Sequence, residues 1–217
     1  MFLRFALLPA LLSTLSAGAQ STWQATTNKN WETSDNWSDG VPNSETAVAE
    51  FGSTAQPAVN IVGTLTVDYI HFTEDAPAYT FSQKGGSNLI LAGTGIVNDS
   101  SSAQTFDVKA NDTGRARLAF TNSAHAANVI ISAKGNSTKL GKIDFLDASS
   151  ASTAQLSVLN AGVLTFDNTA TAANAKITIQ ETGGNVTFKS TSTAANADIK
   201  VSADGSLLFS GNSSAGS

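Results

Sequence analysis

The sequence predicts an all-β chain: a right-handed parallel β-helix, a solenoid with coils of about 21–22 residues, entered through an N-terminal aromatic-rich cap. Three observations predict it. From residue 118 onward, apolar residues come as i, i+2 pairs between polar linkers, the period of a strand with one buried face. Phe120, Phe145, Phe166, Phe188 and Phe209 recur at nearly equal intervals after one longer first step. A second set of pairs, closed by Ile131, Val158, Ile179 and Val201, follows these phenylalanines at an almost constant distance, slightly shorter the first time. Short, regularly spaced strands also suit a sandwich, but a sandwich has no reason to put phenylalanine at one phase of every second strand. Stacked coils do, because like side chains lie over one another and the ladder selects the residue type.

Residues 1–19 read as a secretory signal peptide, with Arg4, an apolar run from Phe5 to Leu15, and Ala17-Gly18-Ala19 as the cleavage pattern. The run is shorter than the roughly twenty residues a spanning helix needs, and no other stretch is as apolar, so no membrane-spanning segment is predicted. The chain is expected to be secreted. It has no cysteine, so disulfides cannot hold it together, and a repeated non-covalent interaction has to do so instead.

Residues 20–58 contain all three tryptophans, Trp23, Trp31 and Trp37. The first coil of a solenoid exposes an open apolar end and an unpaired edge, and large aromatics just before the repeats suit a cap over both. The rival reading is a platform of aromatic rings that stack on sugars. Residues 59–217 are read as the β-helix repeats. Their early strands are marked by Val59/Ile61, Leu65/Val67, Ile70/Phe72, Tyr79/Phe81, Leu89/Leu91 and Phe106/Val108. Phe106 precedes Phe120 by much less than a full coil, so either the early coils are irregular or these pairs belong to a different phase. Segment 133–142 reads as a loop insertion with solvated lysines. The alanine-rich "NTATAANA" and "KSTSTAANA" leave the third side of the coil open between a weak strand and a broad turn. The chain stops soon after Phe209, short of the next expected strand, which predicts a repeat region truncated at its C-terminus.

The charge pattern excludes some functions. With 12 basic and 17 acidic residues the formal charge is −5, and no Lys/Arg cluster is present, so a nucleic-acid partner is not expected. The outward columns, Asp144, Thr165, Thr187, Leu208 and Ile130, Ser157, Thr178, Lys200, stack no pair of carboxylates for acid/base chemistry or calcium. Arg115 and Arg117 near Asp112 form the nearest thing to a charged patch and read as a solvated strand edge. His71 and His125 stand isolated, without metal-ligand spacing. The glycines of 83–95 lack the Gly-Lys-Ser/Thr ending of a phosphate loop. No catalytic residue, metal site or cofactor is predicted, and the chain is expected not to be an enzyme.

The run Trp23, Trp31, Asn36-Trp37-Ser38, Gly40, Pro42-Asn43, Ala47 and Phe51, followed by repeats such as "GNVTFKSTSTAANADIKV", resembles the autotransporter-associated β-strand repeat proteins of Gram-negative bacteria. The resemblance covers nearly all of the chain after residue 19. It implies a secreted or surface-displayed β-helical passenger at the cell outer membrane, a non-enzymatic stalk or adhesin whose partners are glycans or other cell surfaces. A chain threaded unfolded through an outer-membrane pore is also well served by having no cysteine. The sequence departs from the family in lacking a C-terminal barrel or sorting segment. The alternative is a carbohydrate-active or carbohydrate-binding β-helix, similar to a polysaccharide lyase, whose catalytic coils are not evident in this sequence.

Overall fold

The computed structural model describes residues 19–136, 138–180, 183–202 and 204–216. The signal-peptide reading therefore lies, except for Ala19, outside the described residues. Sixteen strands run among them: β1 Gln20–Thr22, β2 Val48–Phe51, β3 Ala58–Ile61, β4 Thr64–Phe72, β5 Thr80–Gln83, β6 Asn88–Asn98, β7 Thr105–Lys109 and β8 Ala116–Phe120. They continue with β9 Ile130–Lys134, β10 Gly141–Phe145, β11 Gln155–Leu159, β12 Val163–Phe166, β13 Lys176–Ile179, β14 Asn185–Phe188, β15 Asp198–Val201 and β16 Ser206–Phe209. One 3-10 turn, Ser34–Asn36, is the only helical element described.

Every strand pairs in parallel with strands one coil away. β3, β5, β7, β9, β11, β13 and β15 form a seven-stranded sheet, while β1, β2 and the even-numbered strands from β4 to β16 form a nine-stranded one. This is the stacked-coil solenoid that the periodicity predicts, about eight turns long. A third side completes the coil. Gly95, His125, Ser150, Thr171, Thr193 and Ser214 bridge in parallel, one residue per coil. In the early coils this side is a real strand. β4 and β6 break register between Val67 and Tyr69, and beyond the break Tyr69–Phe72 pairs with Gly95–Asn98, in line with the later bridges. The nine-stranded sheet thus spans two sides of the coil at its N-terminal end and one side further on.

The third side narrows because its interior is small. Ala124, Ser149, Ala170 and Ser192 occupy one buried position in successive coils, and Ala126, Ala151, Ala172 and Ala194 the next. With nothing larger than a hydroxyl to bury, the chain reaches the corner in a single bridge, which resolves the alanine-rich segments as one turn-bounded bridge each. The corners use the left-handed region at matched positions. Asn122, Asp147, Asn168, Ser190 and Gly211 share one such corner, and Ala127, Ser152, Ala173, Ala195 and Gly216 the other. Asn, Asp and Gly tolerate positive φ, whereas alanine does so only under external restraint. At Ala173 and Ala195 the restraint is local: each N–H donates at 3.0 Å to the hydroxyl two positions back, Thr171 and Thr193.

The interior is two ladders. Phe120, Phe145, Phe166, Phe188 and Phe209 lie in register along the nine-stranded sheet, with ring centroids 4.6–4.9 Å apart and planes within 10°. That separation is the parallel strand spacing, so the backbone ladder sets the stack and the rings adopt it. Leu91 and Val67 continue the same column below Phe120.

Several expectations change. Phe106 belongs to the opposite sheet, stacked on Phe81 at 4.5 Å and 8°, so the short stretch from it to Phe120 is a passage between sheets within a coil and a difference of phase, while the irregularity of the early coils lies in the β4–β6 register break. Ile131 pairs with Leu156, and Val158 with Ala133, so Ile131 is one inward step out of phase with Val158, Ile179 and Val201. Ala133, fully buried, is the inward residue there. The loop insertion is accordingly shorter than 133–142, since β9 runs to Lys134 and β10 starts at Gly141. Finally, Val201 is 46 % exposed and Phe209 half-buried, because β15 and β16 are end strands, each paired on one side only among the described residues.

Candidate functional site

The three tryptophans are buried, at 3 % or less exposure. Trp31 sits between Trp37 and Phe51, with centroids at 4.9 and 5.6 Å, and Trp23 meets Trp37 edge-on at 5.2 Å. Each indole N–H donates to a carbonyl: Trp23 to Gln56, Trp31 to Pro42 and Trp37 to Trp31. The rings have no free face on which a sugar could stack, and their polar edges are satisfied inside the fold. A platform of these three rings is incompatible with that packing.

The outward columns carry the surface chemistry. On the nine-stranded sheet, Ala119, Asp144, Thr165, Thr187 and Leu208 align. Asp144 points outward yet is only 1 % exposed, because Arg117 from the coil below closes over it and Lys142 flanks it. Arg117 Nε donates to Asp144 Oδ2 at 2.6 Å, while Lys142 Nζ lies 3.0 Å from Oδ1 outside hydrogen-bond geometry. Arg117, expected near Asp112, pairs with Asp144 instead, and Asp112 accepts a hydrogen bond from Asn136. The reason is register: the turn of the coil places Lys142 beside Arg117, which brings Asp144 within reach, whereas Asp112 precedes the strand that carries Arg117.

His71 is not isolated. Its Nδ1 lies 3.3 Å from Glu50 of the preceding coil and its Nε2 lies 3.0 Å from Asp99 of the next, so it links three turns. The interval from Glu50 to His71, equal to that from Phe145 to Phe166, was the signal in the sequence. His125 is exposed, and its backbone forms the third-side bridge with Gly95 and Ser150. Among the described residues no group of three or more His, Asp or Glu side chains is arranged to hold a metal ion.

On the seven-stranded sheet the outward column is Asn60, Ser82, Asp107, Ser132, Ser157, Thr178 and Lys200. Ser132 therefore holds the place assigned to Ile130, which pairs with Gln155 in the neighbouring column. Ser157 and Thr178 are short and lie between the longer Gln155, Lys176, Asp198 and Lys200. The difference in length leaves a shallow depression of about 130 Å³ across β11, β13 and β15. Its floor offers hydroxyls and its rim offers two ammonium groups, one carboxylate and one amide. Lys200 Nζ approaches Asp198 at 3.7 Å, whereas Lys176 makes no ion pair among the described residues.

Sequence reasoning missed this depression because its members lie in three coils and become neighbours only through register. No helix among the described residues is long and apolar enough to cross a membrane. Comparison with protein-family models, curated proteins and solved structures returns no match for the chain.

Proposed function

We propose that the chain is an exported, non-enzymatic β-helical passenger segment that serves as a stalk or adhesive scaffold at the surface of a Gram-negative cell. The observation that carries this reading is the parallel strand pairing repeated from coil to coil, two sheets and a bridged third side around one apolar interior. Such a stack resists bending because each coil is hydrogen-bonded to its neighbours along the axis. The opening residues, the tryptophan run and the absence of cysteine support export in the same direction as the family resemblance. In this reading the buried tryptophan cluster closes the N-terminal end of the interior.

Expression of the whole chain in a Gram-negative host tests the reading. The expected product begins at Gln20 and is found outside the inner membrane, and recovery of the Met1 form in the cytosol sinks the export proposal. Trp31→Ala tests the cap. It is expected to remove cooperative thermal unfolding, and a variant that keeps the parent circular dichroism spectrum and melt would overturn the assignment.

A second reading, a carbohydrate-binding β-helix, is favoured by one observation, the hydroxyl-floored depression across β11, β13 and β15. It places binding on the flank of the stack instead of on the tryptophans.

A further inference from the structure

We infer that the depression on the seven-stranded sheet is a binding site for a carboxylate-bearing linear glycan, a polyuronate. The inference rests on the adhesive-scaffold reading and gives that reading a partner. Two features of the sheet lead to it. Its outward charged residues are Asp107, Lys109, Lys134, Lys176, Asp198 and Lys200, four cations to two anions, on a chain whose overall formal charge is −5. An anionic ligand is therefore attracted to this flank of a molecule whose net charge is negative. The outward positions of the sheet also carry no aromatic side chain, so the stacking that holds neutral sugars has no surface here, and recognition has to come from charge and hydrogen bonds.

The site is built from two adjacent columns over three coils. Gln155, Lys176 and Asp198 align in one, and Ser157, Thr178 and Lys200 in the other. Lys176 and Lys200 stand at opposite corners of a square whose other two corners are Thr178 and Asp198. A carboxylate seated between them receives charge-assisted hydrogen bonds from both ammonium groups. Ser157, Thr178 and Gln155 then meet sugar hydroxyls, and Asp198 accepts from one. Lys176, with no carboxylate partner among the described residues, carries the greater part of the attraction. The volume of about 130 Å³ admits one sugar ring, so a polymer would lie across the flank with a single sugar engaged.

The test is affinity electrophoresis of the whole purified chain through gels containing polygalacturonate or a neutral galactan, at low and at raised salt. Retardation by the polyuronate alone is expected, weakening as salt screens the contacts. Lys176→Gln/Lys200→Gln is expected to lose about tenfold in affinity with its thermal melt unchanged, while Lys109→Gln/Lys134→Gln loses less. The inference is overturned if the polyuronate does not retard the chain, if the galactan retards it equally, or if both double variants behave alike. Because binding is read on purified protein, its failure leaves the export proposal standing, and failure of export leaves the binding result intact.

Discussion

At the scale of single residues, the corners show how the chain tolerates unfavourable backbone. Ala173 and Ala195 hold φ near 52° and 51°, a region that costs an L-residue about 1–2 kcal/mol. Glycine at these positions relieves that cost but gains freedom when unfolded. Ala173→Gly is therefore expected to raise stability by about 0.5 kcal/mol, measured by urea denaturation, and a loss of stability would show that the Thr171 turn already removes the strain. The neighbouring corner couples to charge. The Ser190 hydroxyl, first, and the Asn168 N–H hold the Asp167 carboxyl below its usual range. Its folded pKa lies below the unfolded value, so this contribution is present above the unfolded pKa and is lost as pH falls through the folded one. Ser190→Ala is expected to raise the Asp167 pKa, followed by carboxyl NMR titration; an unmoved titration would assign the shift to the Asn168 N–H and the nearby Lys189 and Lys142.

At the scale of elements, the phenylalanine ladder is uniform in sequence but unequal in burial. Phe166 is fully buried between Phe145 and Phe188, whereas Phe209 packs on one side only. Phe166→Ala is expected to cost about 3–5 kcal/mol and Phe209→Ala clearly less, measured by denaturant midpoints at constant m-value. Equal losses would mean that coil position has no bearing on ladder energetics. Glycine acts at the corner that leads into a ladder strand. Gly162 lies where a Cβ would collide with the Ala133 carbonyl oxygen of the strand below, so its place is set by the closeness of two coil segments. The ladder strands were legible because phenylalanine is large and alternates cleanly with polar residues. Ala133 was not, because a small inward residue leaves no mark in a hydropathy pattern, and that one gap shifted Ile131 out of its true phase.

At the scale of the whole molecule, the coil is the unit of register. Phe166 and Phe188 occupy the same position in successive turns, so deleting 167–188 removes one complete coil and restores the phase. Deleting 167–177 removes half a coil, so the strands that follow fall where a corner or the opposite sheet belongs. The first variant is expected to keep a cooperative melt and the β spectrum, and the second to lose both. Similar behaviour of the two would contradict a solenoid held by register. The same logic explains the surface sites. The Arg117–Asp144 pair, the His71 link and the depression over Ser157 and Thr178 each join side chains about one coil apart, and their spacings along the chain differ as the corners between them differ.

The sequence by itself determined the class of fold, the coil length and the phenylalanine ladder, because stacking like residues at one phase writes a period into the chain. It also determined that the tryptophans precede the repeats. Only the tertiary structure decided that those tryptophans face inward with every indole N–H satisfied. It also decided that the third side is one bridge per coil and that Arg117 belongs to Asp144. Contacts between coils depend on register, and register is the sum of every corner and insertion between two positions; a small change in that sum exchanges one partner for another while leaving the hydrophobic pattern unchanged.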